Sequence, residues 1–315
     1  MVEVTINAVL VVVGLAMLCF GGHWLVEGGV RIAKRLRISS LIIGMTVVAY
    51  GTSTPELAAS IAALGEHTQI ILGNVVGSNI SNIGMVIGIS AILVPLVVQK
   101  STVRKEIPIM IGVSLLLIAL SLDNGISQWE GVLLLAGLIV FTVYIFQSAK
   151  KQRENNVSED TGESQKKNTF GKAVALIALG VGLLWGGAIL TIDNAIVIAQ
   201  SFEISERIIG LTIIAIGTSL PELITSVIAI RKGHYDIGVG NIIGSNIYNV
   251  LMIIGVAGAI GGIVVIPEMF IDYAVMIGFS LVLLFVMKTG LITRPMGVGL
   301  AIAFAAYLSW LLILS

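Results

Sequence analysis

Two stretches place carboxylates, hydroxyls and prolines inside otherwise apolar runs. Gly51 to Leu57 read GTSTPEL, and Gly217 to Leu223 read GTSLPEL. A carboxylate at bilayer depth is costly and marks a functional site by default. Glu56 and Glu222 hold that place at matching positions. Pro55 and Pro221 each remove a helical hydrogen bond and clash with an earlier carbonyl, so both runs should break there. Gly51 and Gly217 make the local backbone permissive. A break frees carbonyls near Ala49 and Ala215, which persist at membrane depth only where protein or a water-filled cavity satisfies them. The hydroxyls of Thr52, Ser53, Thr218 and Ser219 stand beside those carbonyls. Carboxylate, hydroxyl and carbonyl oxygens are the ligands a hard cation such as Ca²⁺ prefers. A packing kink accounts equally well for single Gly, Thr or Ser residues, because small and hydroxyl side chains favour close helix contact. It does not account for the two glutamates.

A companion pattern follows each stretch. Asn74, Ser78 and Asn82 are four apart and form one polar stripe on an apolar helix, and Asn241, Ser245 and Asn249 repeat it. Asn79 and Asn246 lie one residue off the stripe, on a neighbouring face. Gly73, Gly77, Gly84 and Gly88 read as a small-residue packing face, with the amides completing a polar centre around the carboxylates. Glu27 and Asp193 also match, near the ends of long spans, and read as interface residues rather than an access path. His67 and His234 match in short loops, where a solvated histidine is the simpler reading than a pH sensor. Trp24, Trp129 and Trp310 fit an interfacial aromatic belt.

These residues need a membrane scaffold. The 315 residues are 57% hydrophobic and 11% charged, with mean hydropathy +1.03; soluble domains carry about 25% charged residues. The formal net charge is zero, so no nucleic-acid partner is expected. The single cysteine, Cys19, excludes an internal disulfide, and three histidines argue against zinc or haem. No Lys or Arg precedes the first apolar run, which reads as a retained span rather than a cleaved signal. At about 20 apolar residues per span, ten spans are expected, near 5–30, 40–64, 69–95, 106–122, 128–148, 171–197, 207–230, 236–262, 270–288 and 295–314.

The polar stretch 150–170 divides the chain and reads as a linker. It separates a first repeat, 1–149, from a second, 171–315. The step from Gly51 to Gly217 is 166, and it also relates Ile38-Ser39 to Ile204-Ser205, Thr46 to Thr212 and Ser60 to Ser226. A step of 167 then relates Gly77-Ser78-Asn79-Ile80 to Gly244-Ser245-Asn246-Ile247. Five spans per repeat is odd, so the second repeat must enter the membrane in the opposite sense. With both termini outside and the linker cytoplasmic, Arg207 alone of the 18 Lys and Arg residues lies outside, as the positive-inside rule asks. The expected fold is an all-α polytopic membrane protein of ten helices in two inverted five-helix repeats, with helices 2 and 7 broken. Such inverted repeats with broken helices meeting at the midplane build many secondary transporters.

GTSxPE followed by GNxxGSN, once per half, resembles the calcium/cation antiporter superfamily, which includes the Na⁺/Ca²⁺ and H⁺/Ca²⁺ exchangers. The stretches 44–90 and 210–256 resemble its two α-repeats, and the short linker resembles compact archaeal and bacterial members. The resemblance implies Ca²⁺ held by Glu56 and Glu222, with help from Thr52, Ser53, Thr218, Ser219, Ser78, Ser245, Asn82 and Asn249 and from carbonyls near Ala49 and Ala215. It also implies alternating access, the first and sixth spans sliding against the rest. One departure stands out: Na⁺/Ca²⁺ exchangers commonly carry an aspartate where this chain has Asn249.

With amides at both Asn82 and Asn249, the centre holds about −2 when ionised, which balances one Ca²⁺ or two protons; several Na⁺ would leave excess charge in a low-dielectric site. Desolvation favours the neutral carboxyl form, which suits proton exchange. The expectation is a Ca²⁺/H⁺ antiporter with Glu56 and Glu222 also carrying the protons, and a Na⁺/Ca²⁺ exchanger as the alternative. No cofactor is expected beyond the transported ions, no partner beyond the bilayer, and a monomer suffices. A cation channel would need a continuous pore, usually built by an oligomer. An intramembrane enzyme would need acids sharing a proton at close range and a further catalytic element, which the sequence lacks.

Overall fold

A computed structural model describes residues 2–62, 64, 68–157, 169–203 and 215–314. His67, Arg207 and the 204–214 stretch lie outside them. The described chain is helical, with turns and four two-residue strands between the helices, β1 (Leu96–Val97), β2 (Gly125–Ile126), β3 (Ile263–Val264) and β4 (Leu291–Ile292). In chain order the first half holds α1 (Val2–Leu36), α2 (Ser40–Ile43), α3 (Ala49–Thr52), α4 (Thr54–Ala62), α5 (Thr68–Ser81), α6 (Gly88–Leu93), α7 (Ile107–Leu120) and α8 (Gln128–Val157). The second holds α9 (Thr169–Ser201), α10 (Ala215–Thr218), α11 (Leu220–Arg231), α12 (Tyr235–Tyr248), α13 (Gly255–Gly261), α14 (Met269–Met287) and α15 (Arg294–Leu314).

Among the described residues, six helices are long and apolar enough to cross a membrane: Val4–Leu36, Ile70–Leu93, Gln128–Lys151, Phe170–Ser201, Tyr235–Gly261 and Arg294–Ile313. The other four expected spans are shorter or in pieces. The second is divided among α2, a π-helical turn at Gly44–Val48, α3 and α4. The fourth is a π turn at Thr102–Glu106 followed by the 14-residue α7. The ninth reaches the apolar criterion only over Met269–Phe285, and the seventh lies partly outside the described residues. Two of the six form the centre. Of the most apolar windows of Ile70–Leu93 and Tyr235–Gly261, 83% and 89% are buried, against 17–28% in the other four.

The first residues of the polar stretch that starts at Lys150 are helical. Helix α8 continues through Lys150 to Val157. Lys, Gln, Arg and Glu are good helix formers, and extending an existing helix avoids the cost of nucleation.

Helices α1 and α9 pack antiparallel through glycines. A Cβ on Gly14 would meet Gly187 O at 2.9 Å, one on Gly21 would meet Gly180 O at 2.8 Å, and one on Gly28 would meet Ala173 O at 2.8 Å. As α1 rises from 14 to 28, its partner falls from 187 to 173. Backbones approach this closely only where no side chain intervenes. Gly180→Val should therefore force the pair apart, since its Cβ would lie 2.8 Å from Leu25 N. A loss of about 1–3 kcal/mol is expected, read as a lower melting temperature in detergent. Gly182→Val, with nothing within 4 Å, serves as the neutral control.

Strand β1 pairs antiparallel with β4 (Leu96↔Ile292), and β2 with β3 (Ile126↔Ile263). The chain leaving α6 thus meets the turn between α14 and α15, and the chain leaving α13 meets the turn between α7 and α8.

Candidate functional site

The second span breaks at Ser53, between α3 and α4, and the seventh at Ser219, between α10 and α11. Each break falls two residues ahead of the proline. Proline is tolerated in the first turn of a helix, where its missing N–H has no partner to lose, so Pro55 and Pro221 open the second fragment instead of sitting at the gap. Glu56 and Glu222 follow in the first turns of α4 and α11, where the helix dipole favours a negative charge.

The opposing helices carry a matching irregularity. A π turn starts at Asn82 (Asn82–Ile87) after α5, and another at Asn249 (Asn249–Ile254) after α12. Such turns inside α-helices are frequent at functional sites. Helix α4, with Glu56, packs on the π turn that starts at Asn249; α11, with Glu222, packs on the π turn that starts at Asn82. Glycines allow the approach on one side: Cβ atoms on Gly240 and Gly244 would meet Leu41 O at 2.8 Å and Ala49 Cβ at 2.7 Å. Gly84 and Gly88 lie elsewhere, against Phe304 and Gly297.

Both glutamates are buried, Glu56 at 1% and Glu222 at 0% exposure. Ser53 Oγ donates to Glu222 Oε1 at 3.2 Å, and Ser245 Oγ donates to the same oxygen at 3.3 Å. Thr52 Oγ1 lies 3.1 Å from Asn241 Oδ1 and 3.4 Å from Ser245 Oγ. Thr218 Oγ1 donates to Asn74 Oδ1 at 3.5 Å, the counterpart of the Thr52–Asn241 contact. Ala49 O accepts from Ser53 N at 3.0 Å and faces Thr52 Oγ1 at 3.3 Å, so this carbonyl is not left bare by the break. At the other break Ser219 N turns to Ile216 O at 3.1 Å, while Ala215 opens α10.

The remaining oxygens carry the chemistry. Glu56 Oε1 and Oε2, Glu222 Oε2, Ser78 Oγ, Ser219 Oγ, Asn82 Oδ1 and Asn249 Oδ1 are buried without a hydrogen-bond partner. Buried polar groups are ordinarily paired, and a buried carboxylate needs a counter-charge or a proton. Neither glutamate pairs with a Lys, Arg or His among the described residues. The described residues also hold no cluster of three acidic, His or Cys side chains. The arrangement suits a hard, oxygen-seeking cation.

Two residues that the sequence reading set off the stripe belong to this centre. Asn82 Nδ2 donates to Asn246 Oδ1 at 3.0 Å, and Asn249 Nδ2 donates to Asn79 Oδ1 at 3.1 Å. Their recurrence in both GSN triplets was the signal available. Glu27 is engaged elsewhere: Arg31 donates to it at 2.6 Å, with His23 3.6 Å away. Burial, helped by Lys34 and Lys232, pushes the His234 imidazole below its usual range, so it gains charge only under more acid conditions than a free imidazole. His234→Asn is expected to leave the pH dependence of transport between about pH 7 and 8 unchanged within about twofold, as measured in proteoliposomes.

The structure thus closes a bundle of apolar helices around two buried carboxylates. The family model described as sodium/calcium exchanger protein matches residues 6–147 and 172–313. The chain belongs to the sodium/calcium exchanger family. It is 37% identical over 279 residues to the inner membrane protein YrbG of Escherichia coli, covering 87% of this chain and 86% of that one. It is 32% identical over 343 residues to the sodium/calcium exchanger MaX1 of Methanosarcina acetivorans, covering 97% and 98%. The structure of the sodium-calcium exchanger NCX_Mj soaked with zero Na⁺ and Ca²⁺ superposes with a TM-score of 0.84 at 31% identity, covering 98% and 99%.

Proposed function

We propose that the protein is a secondary antiporter that exchanges Ca²⁺ for H⁺ by alternating access. Glu56 and Glu222 bind either one Ca²⁺ or protons, in competition. Ser53, Thr52, Ser219, Thr218, Ser78, Ser245, Asn82 and Asn249 supply neutral oxygens, with the backbone at Ala49 and Ala215. The observation that carries this reading is two buried carboxylates, paired with no Lys, Arg or His among the described residues, beside the unpartnered oxygens of Ser78, Ser219, Asn82 and Asn249. Their summed charge of about −2 is neutralised equally by Ca²⁺ or by two protons. Competition for the same oxygens couples the fluxes, because a state carrying neither partner leaves two bare charges in the membrane.

The same proposal includes ten spans in two inverted repeats, 1–149 and 171–315, with both termini outside and the 150–170 linker cytoplasmic. Three observations support it. The family model matches twice, and 6 to 172 and 147 to 313 are the same step of 166 as Gly51 to Gly217. Gly14 and Gly21 correspond to Gly180 and Gly187 at that step, and these equivalent helices pack antiparallel. Charges sort by end: Lys100, Arg104 and Lys288 line one cavity beside the β1–β4 pair, while Asp123 and Glu268 flank the β2–β3 pair.

Na⁺ as the counter-ion is the second reading, favoured by the names of MaX1 and NCX_Mj. Purified protein in liposomes separates the two. An outward or inward pH gradient in Na⁺-free buffer is expected to drive Ca²⁺ flux; flux that appears only with a Na⁺ gradient would overturn proton coupling.

A further inference from the structure

We infer that Asn79 and Asn246 are positioning residues that fix which atom of Asn82 and Asn249 faces the cation. The inference rests on the ligand set proposed above. Asn79 Nδ2 donates to the backbone oxygen of Asn246 at 3.3 Å, and Asn246 Nδ2 donates to the backbone oxygen of Asn79 at 3.4 Å. The two residues stand at equivalent positions of the two halves, so the contact is reciprocal. A backbone carbonyl only accepts. It therefore pins the NH₂ end of each amide, and a flipped amide would set oxygen against oxygen.

The second N–H of each pinned amide is also used. Asn79 Nδ2 points to Met276 Sδ at 3.7 Å, and Asn246 Nδ2 to Met110 Sδ at 3.5 Å, thioether sulfur being a weak acceptor. Only the side-chain oxygens of Asn79 and Asn246 remain, and they accept from Asn249 Nδ2 and Asn82 Nδ2 at 3.1 and 3.0 Å. The site amides thus spend their nitrogens on this pair. Oδ1 of both is left buried without a partner. Orientation passes from a fixed backbone carbonyl to Asn79 and on to Asn249, and likewise from Asn246 to Asn82. Four buried amides are oriented without any choice of rotamer at the site itself. The consequence is chemical: two oxygens, rather than two NH₂ groups, are offered to a positive ion.

The test is a double-mutant cycle on half-saturating Ca²⁺ for transport, measured in liposomes with Asn79→Ala, Asn249→Ala and both together. Asn79→Ala frees Asn249 to turn its NH₂ inward, and losses of about 10- to 100-fold in metal affinity are usual for removed orienting partners. Each single variant is expected to raise half-saturating Ca²⁺ about tenfold or more, and the double variant no further than Asn249→Ala alone. A packing role would instead lower maximal rate and folded yield and leave half-saturating Ca²⁺ unchanged. Normal half-saturation in Asn79→Ala beside a shifted Asn249→Ala overturns the inference and leaves the proposed function standing. An unshifted Asn249→Ala removes that residue from the ligand set and overturns the inference with it, while the proposed exchange is judged by the flux experiment above. Asn246→Ala with Asn82→Ala repeats the cycle on the other half, should Asn79→Ala fail to fold.

Discussion

Replacing Glu56 or Glu222 with glutamine is expected to abolish Ca²⁺ flux while leaving the fold intact. Glutamine keeps the shape and one oxygen, so Ser53 and Ser245 retain an acceptor at position 222. What disappears is one unit of negative charge beside a divalent ion in a dry site. A loss of about 3 kcal/mol there is modest by Coulomb's law and corresponds to roughly 100-fold in affinity. The Ca²⁺-free protein should not melt lower, because glutamine replaces a buried carboxyl that pairs with no Lys, Arg or His among the described residues. Ligand linkage gives an independent reading. Ca²⁺ at about 100 times its Kd stabilises a protein by about 2.7 kcal/mol, so wild type should melt higher with Ca²⁺ and either glutamine variant should not. A variant with flux within about twofold of wild type would remove that glutamate from the site.

Asn249→Asp is expected to change the driving ion. The position is the one where Na⁺/Ca²⁺ exchangers commonly carry aspartate. A third carboxylate takes the centre to about −3, which one Ca²⁺ or two protons no longer neutralise. It also replaces the donor that Asn79 Oδ1 accepts at 3.1 Å with an oxygen. Flux driven by a pH gradient should fall by about tenfold or more, since 1.4 kcal/mol of uncompensated charge suffices. A Na⁺ gradient should become stimulatory. Unchanged proton-driven flux would show that this side chain does not set the charge of the site.

The glutamates were legible because their cost in a membrane is large and their context is repeated. The breaks were legible to within two residues, the offset arising because Pro55 and Pro221 open helices instead of interrupting them. Asn79 and Asn246 could not be assigned from spacing: their partners come from the other half of the chain, 167 residues away, and four-residue periodicity describes one helix at a time. The Gly14–Gly187 and Gly21–Gly180 crossings were hidden for the same reason, since glycines in apolar runs gain meaning only from what they touch. The π turns at Asn82 and Asn249 have no sequence signature comparable to a proline. Hydropathy reads ten spans, whereas six helices among the described residues meet the apolar length test: the second expected span is in pieces, the fourth and ninth are short, and the seventh lies partly outside those residues.

The most direct test of a two-carboxylate exchanger is its charge balance. Ca²⁺ and H⁺ fluxes should be recorded together in Na⁺-free liposomes while a K⁺ gradient with valinomycin sets the voltage. Two protons moving against each Ca²⁺, at a rate indifferent to voltage, is the predicted result. A voltage-dependent exchange, or one that stays silent until Na⁺ is added, would contradict the account.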